Sequence, residues 1–134
     1  MTKVNQNGSC HCGAVAFTVS FDTEPFTFRC NCSICTKARA WLMPVPASDF
    51  VLVRGTEALS CYTFGPRMIQ HFFCRHCGVK THGRGEAEEL GGEFVSVNVA
   101  TLDMAPDALA EVDFAYLNGR EDSFQTEPEV TSYL

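Results

Sequence analysis

Cys30-Asn31-Cys32-Ser33-Ile34-Cys35 places three thiols within six residues. A packed strand would use Val or Ile there, so the thiols point to chemistry. A Cys-x-Cys-x-x-Cys run supplies three corners of a tetrahedral metal site from one stretch of chain. If protein fills the fourth corner the site is structural; if the corner stays open, water or an exogenous thiol can enter. Two further pairs, Cys10/Cys12 and Cys74/Cys77, frame the choice. Cys74-Arg75-His76-Cys77-Gly78 has the form of a zinc knuckle, in which loop N–H groups aim at the first sulfur and the glycine permits the turn. A redox dithiol would open a helix, whereas a strand-like run leads into this one. Counting then pairs Cys10 and Cys12 with Cys74 and Cys77 in a closed four-sulfur structural site. Such a site contributes folding free energy on the order of 10 kcal/mol. Cys30, Cys32 and Cys35 are left with a vacancy.

The other chemical side chains divide around that vacancy. Three thiolates give a bound zinc centre a net charge of about −1, and a fourth makes it about −2. Such a centre delivers a thiolate better than it polarises a carbonyl, and it needs cations nearby. Arg29, Lys37 and Arg39 flank the triple, and Lys37 and Arg39 are the candidate contacts to a thiol substrate. Cys61 stands alone in an apolar run and is expected to be buried as a small hydrophobe. His11 and His76 lie between ligands and should point away from them. His71 and His82 read as satisfied surface or core histidines, either of which could give acid–base help. Glu86, Glu88 and Glu89 look like a solvated loop. An iron–sulfur cluster is the competing centre, since thiolates bind it too.

Short strands must position these groups. Ala14–Ser20, Phe26–Arg29, Phe50–Val53, Leu59–Phe64, Met68–Phe73 and Phe94–Val99 are rich in β-branched and aromatic residues, with Gly or Pro between them. Val79–His82 extends the knuckle as a strand, and Gly83–Gly92 reads as a loop. Thr36–Ala40 and Asp107–Ala110 suit single helical turns. The two prolines in Trp41–Pro46 predict an edge strand or an extended loop, and the chain beyond Asn118 should be irregular. The pattern predicts one mainly β, sandwich-like domain over residues 1–134 with little helix.

Composition narrows the function. The chain is 46% hydrophobic with 11 Phe, enough for a packed core, and a net charge of −6 disfavours nucleic acid as a partner. No apolar run is long enough to span a membrane. The N-terminal residues are polar, so a cytoplasmic location is expected, where cysteine pairs indicate metal rather than disulfides. No Ser/His/Asp set, phosphate loop or dinucleotide fingerprint is present.

With these groups in place, the chain resembles the glutathione-dependent formaldehyde-activating family, which shares a domain with centromere protein V. The matching stretches are Gly8–Gly13, Cys30–Lys37 and Phe73–Gly78, with weaker matches at Pro46–Phe50, Val97–Asp103 and Asn118–Asp122. The motif core runs from about residue 8 to 122. The resemblance implies a β-tent fold and two zinc ions, one structural on Cys10, Cys12, Cys74 and Cys77 and one catalytic on Cys30, Cys32 and Cys35. It also implies a carbon–sulfur lyase-type activity on an adduct of glutathione, or another thiol, with an aldehyde, such as S-hydroxymethylglutathione. A non-enzymatic zinc module that binds a protein partner is the alternative. Thr81-His82-Gly83, Phe124 and Arg39-Ala40-Trp41 depart from the family pattern at positions that could line or cover the open site.

Overall fold

A computed structural model describes residues 2–134. Its strands are β1 (Lys3–Ser9), β2 (Ala16–Asp22), β3 (Phe28–Cys30), β4 (Leu42–Pro46), β5 (Phe50–Arg54), β6 (Leu59–Tyr62), β7 (Gln70–Cys74), β8 (Lys80–Ala87), β9 (Gly92–Asn98) and β10 (Ala115–Leu117). Two short α-helices, α1 (Ser33–Ala38) and α2 (Pro106–Ala110), join several single 3₁₀ turns. The fold is mainly β, as the sequence predicts.

The strands form a three-stranded sheet in the order β1-β2-β5 and a seven-stranded sheet in the order β10-β3-β4-β9-β8-β7-β6. Alternation along β2 sends Phe17, Val19 and Phe21 inward. They meet Met43 and Val45 of β4, Phe50 of β5, and Val95 and Val97 of β9 in one buried cluster. Phe17 stacks on Phe50 at 5.0 Å between ring centres. This is the sandwich interior. Phe94 and Ser96 are buried on the other face of β9 and line a cavity.

The structure corrects three expectations. Leu42–Pro46 is an interior strand, lying between β3 and β9. It pairs along its length with β9 but meets β3 only where Leu42 faces Phe28, so Pro44 and Pro46 lie where the second ladder has ended. Gly83–Ala87 continues β8 instead of forming a loop. Small residues suit it there, because a Cβ on Gly85 would lie 2.6 Å from the Ile69 side chain. Cys61 is exposed, because β6 is an edge strand with no layer over that part of it. The structure also adds β1, whose polar run hides its strand character, and β10, which pairs in parallel with β3.

Candidate metal centres and the cavity at the triple

The first sulfur cluster joins the two sheets. Cys10 and Cys12 sit in the turn from β1 to β2, while Cys74 ends β7 and Cys77 sits in the turn that follows to β8. Their four sulfurs lie within 4.8 Å of one another. The two turns close alike: the Cys10 N–H donates to the Val15 carbonyl at 3.0 Å and the Cys74 N–H to the Val79 carbonyl at 3.0 Å. The Val15 N–H points at the Cys10 sulfur at 3.3 Å and the His76 N–H at the Cys74 sulfur at 3.4 Å. Gly78, with φ 77°, makes the second turn possible. Backbone N–H groups of Cys12 and then Val79 pull the Cys77 thiol down to about 6. His11 and His76 are exposed, clear of the sulfurs they sit between.

The residues fit a metal. Sulfurs at the corners of a tetrahedron with metal–sulfur bonds near 2.3 Å stand about 3.8 Å apart. Cys10 to Cys12 and Cys12 to Cys74 each measure 3.7 Å. That spacing is far too long for a disulfide.

The second cluster is built by a strand running into a helix. Cys30 ends β3, Cys32 is the N-cap of α1, and Cys35 lies in its first turn. The three sulfurs lie within 4.8 Å of one another, with no fourth His, Cys, Asp or Glu donor joining them among the described residues. As free thiols they conflict. Hydrogen bonds from Cys30 and then Cys35 favour ionised Cys32, while Cys30, Cys32 and burial push the Cys35 thiol far up. A shared cation lets all three ionise together.

Asn31, between two of these cysteines, is buried and turns away from the sulfurs. Its side-chain amide donates to Asn118 Oδ1 at 2.9 Å, and its Oδ1 accepts from the Arg120 N–H at 2.9 Å. The turn pinned there carries Gly119 against the cluster, so that a Cβ at 119 would stand 2.6 Å from the Cys30 sulfur. Asn118–Asp122 is thereby the clamp on the triple.

Cys30, Cys32 and Cys35 open onto a cavity of about 790 Å³. Its wall is largely apolar, with Phe28, Ile34, Leu42, Ile69, Phe94 and Leu117 among the lining side chains. Lys80 and His71 are the basic groups on it. Lys80 Nζ donates to His71 Nδ1 at 3.1 Å, and an ammonium can only donate. His71 is therefore neutral, with its proton on Nε2. Burial lowers the pKa of both, Lys80 further lowers His71, and the Cys35 and Cys32 sulfurs oppose the fall at Lys80.

A β-bulge puts this pair together. The β7–β8 register is Phe72 opposite His82, then Phe73 opposite Lys80, which leaves Thr81 as an extra residue. The shift returns Lys80 to the face of His71 and Gly83. The Asn98 side chain donates to the Lys80 carbonyl at 2.7 Å and fixes the bulge.

The cations expected beside the triple are elsewhere. Lys37 and Arg39 are exposed on and after α1 and do not line the cavity. Arg29 lies over the rings of Trp41 and Phe114, at 4.9 and 4.8 Å. Lys80 was missed because nothing in the sequence announces the bulge. Of the departures from the family pattern, Phe124 and Gly83 line the cavity, whereas His82 is in the core against Phe50 and Phe72. Glu89 reaches the cavity mouth from the loop.

Among the described residues, no helix is long and apolar enough to cross a membrane. A solved Rhodobacter sphaeroides protein shares 39% identity, over 81% of this chain and 99% of that one, with a TM-score of 0.67. Residues 5–118 match the model of the glutathione-dependent formaldehyde-activating enzyme family. A match over so much of the chain, carrying both cysteine clusters and the Asn31–Asn118 clamp, means that this protein belongs to the glutathione-dependent formaldehyde-activating enzyme family.

Proposed function

We propose that the protein makes or breaks the carbon–sulfur bond of a thiol–aldehyde adduct in its cavity, as a zinc-dependent enzyme of carbon–sulfur lyase type. The observation that carries this is a three-sulfur cluster, lacking a fourth protein donor among the described residues, that opens onto a cavity holding one half-buried cation. Glutathione and formaldehyde are the thiol and aldehyde that the family description names. Cys10, Cys12, Cys74 and Cys77 would hold a structural zinc, and Cys30, Cys32 and Cys35 a second, catalytic one. Zinc on the triple supplies an open position that favours a bound thiol as its thiolate at neutral pH.

The chain's own residues do the rest. Lys80 balances the negative charge that gathers on the cysteine sulfurs, in place of Arg29, Lys37 and Arg39. In the forward direction the sulfur lone pair forms the carbon–sulfur bond, and the carbonyl π pair moves onto oxygen. The Lys80 ammonium and the His71 Nε2–H are the two basic-residue donors on the cavity wall that would stabilise that oxygen. The oxygen then takes up a proton, balancing the one the thiol released. The reverse sequence releases thiol and aldehyde. A reducing, cytoplasmic setting suits seven cysteines held as metal ligands.

The test is metal analysis beside calorimetric titration with glutathione. Two zinc ions per chain in a colourless protein, with thiol binding lost in Cys35→Ser, support the proposal. Visible absorbance would indicate iron instead. A fully metallated protein that binds no thiol would favour a zinc module that docks a protein partner.

A further inference from the structure

Resting on that proposal, we infer that the cavity takes the adduct of an apolar, chain-bearing aldehyde, larger than the formaldehyde of the family description. Size is the first ground. A volume of about 790 Å³ lies in the roughly 300–1,000 Å³ range of pockets that enclose drug-sized ligands. An aldehyde with two heavy atoms would leave most of it wet against apolar walls.

The wall is the second ground. Its charged side chains are Lys80 and Glu89, and Glu89 is exposed at the mouth. A glutathione molecule carries two carboxylates and an ammonium. Lys80 is already turned toward the thiols and His71, so the interior has no second cation for another carboxylate. The charged arms of such a thiol therefore stay at the opening. The apolar interior is left for the carbon chain of the aldehyde.

The rim is the third. Among the described residues, twelve large apolar side chains are exposed, and five of them border this cavity: Phe26, Phe64, Met68, Leu90 and Phe124. Exposed apolar side chains gathered round one opening mark a ligand site. The apolar surface thus runs from the rim to the triple, and the half-buried Lys80 is the charged side chain of its interior.

The experiment titrates the two-zinc protein with glutathione and, separately, with S-methyl-, S-butyl- and S-hexylglutathione. Glutathione alone reports on the open position at the triple, and the thioether series reports on the cavity. Affinity should rise about fourfold for each added methylene, and Phe124→Ala should weaken S-hexylglutathione more than S-methylglutathione. A flat or falling series beside normal glutathione binding overturns the inference and leaves the proposed chemistry standing. A rising series without glutathione binding supports the apolar ligand and overturns the open thiol position instead.

Discussion

Gly119→Ala tests whether the C-terminal turn holds the triple in shape. The new Cβ would stand 2.6 Å from the Cys30 sulfur, 3.1 Å from the Cys32 Cβ and 3.3 Å from the Phe124 ring. Ordinary contact between such atoms needs roughly 3.5–4.0 Å, so one side must retreat by about 1 Å. The turn cannot retreat freely. It is tied to Asn31 by hydrogen bonds of 2.9 Å from the Asn31 amide to Asn118, 2.9 Å from the Arg120 N–H, and 3.0 Å from Arg120 Nε. Breaking two or three of these costs about 2–3 kcal/mol in all, at about 1 kcal/mol each. If the turn holds, Cys30 leaves its place by a similar strain.

The affinity of the triple for zinc should therefore fall roughly 30- to 150-fold, while the four-cysteine site is untouched. Competition with a chromophoric chelator resolves the two sites, and only the weaker step should move. A double-mutant cycle locates the clash. Cys30→Ala removes the severe contact and leaves only the milder ones to Cys32 and Phe124, so Gly119→Ala should cost clearly less stability in that background. Unchanged zinc affinity at both sites, or a cost that simply adds to that of Cys30→Ala, would refute the clamp.

Three further outcomes are expected. Cys32→Ser should halve the zinc content and keep the fold, whereas Cys74→Ser should unfold the protein, since Cys74 is fully buried where the sheets meet; metal analysis with circular dichroism checks both. Lys80→Met should weaken glutathione binding by about tenfold, by loss of a charge-assisted contact, with two zinc ions retained; unaltered binding would return the charge-balancing role to other groups. His82, held neutral by burial and then by the Arg84 charge, has its pKa lowered to about 4. That stability is fully present above pH 6.5 and is lost as pH falls from 6.5 to 4, up to about 3 kcal/mol. Melting curves of His82→Phe and the parent should therefore converge or cross across that window, and parallel curves would show that His82 titrates freely.

Both clusters could be read from spacing because metal ligation is local: each half-site lies within six residues, and the pairing of two half-sites follows from counting. The strands with β-branched or aromatic runs could be read too, since Phe17, Val19 and Phe21 alternate as a half-buried strand must. Position within the sheet was less legible. Pro44 and Pro46 argue for an edge until one sees that β3 stops short of them. Cys61 reads as core because its neighbours are apolar, yet its strand lies at the sheet edge. The cations failed for a different reason. Lys37 and Arg39 are near the triple in sequence, whereas Lys80 arrives through a one-residue bulge, a register event that composition does not encode.

That bulge changes what the four-cysteine site is for. Counted by ligands alone, it clamps β1 and β2 to β7 and β8 and serves stability. Yet it closes the hairpin that carries His71 three residues before Cys74 and Lys80 three residues after Cys77. The Lys80–His71 contact spans those two strands. Its geometry depends on a register set between the knuckle and the Thr81 bulge. Metal on the four sulfurs would then fix the cation that faces the other three. The two sites would then be coupled through one hairpin, and a knuckle variant that still folds should lose thiol affinity at the triple without losing metal there. Independent behaviour of the two sites in such a variant would confine the four-cysteine site to stability.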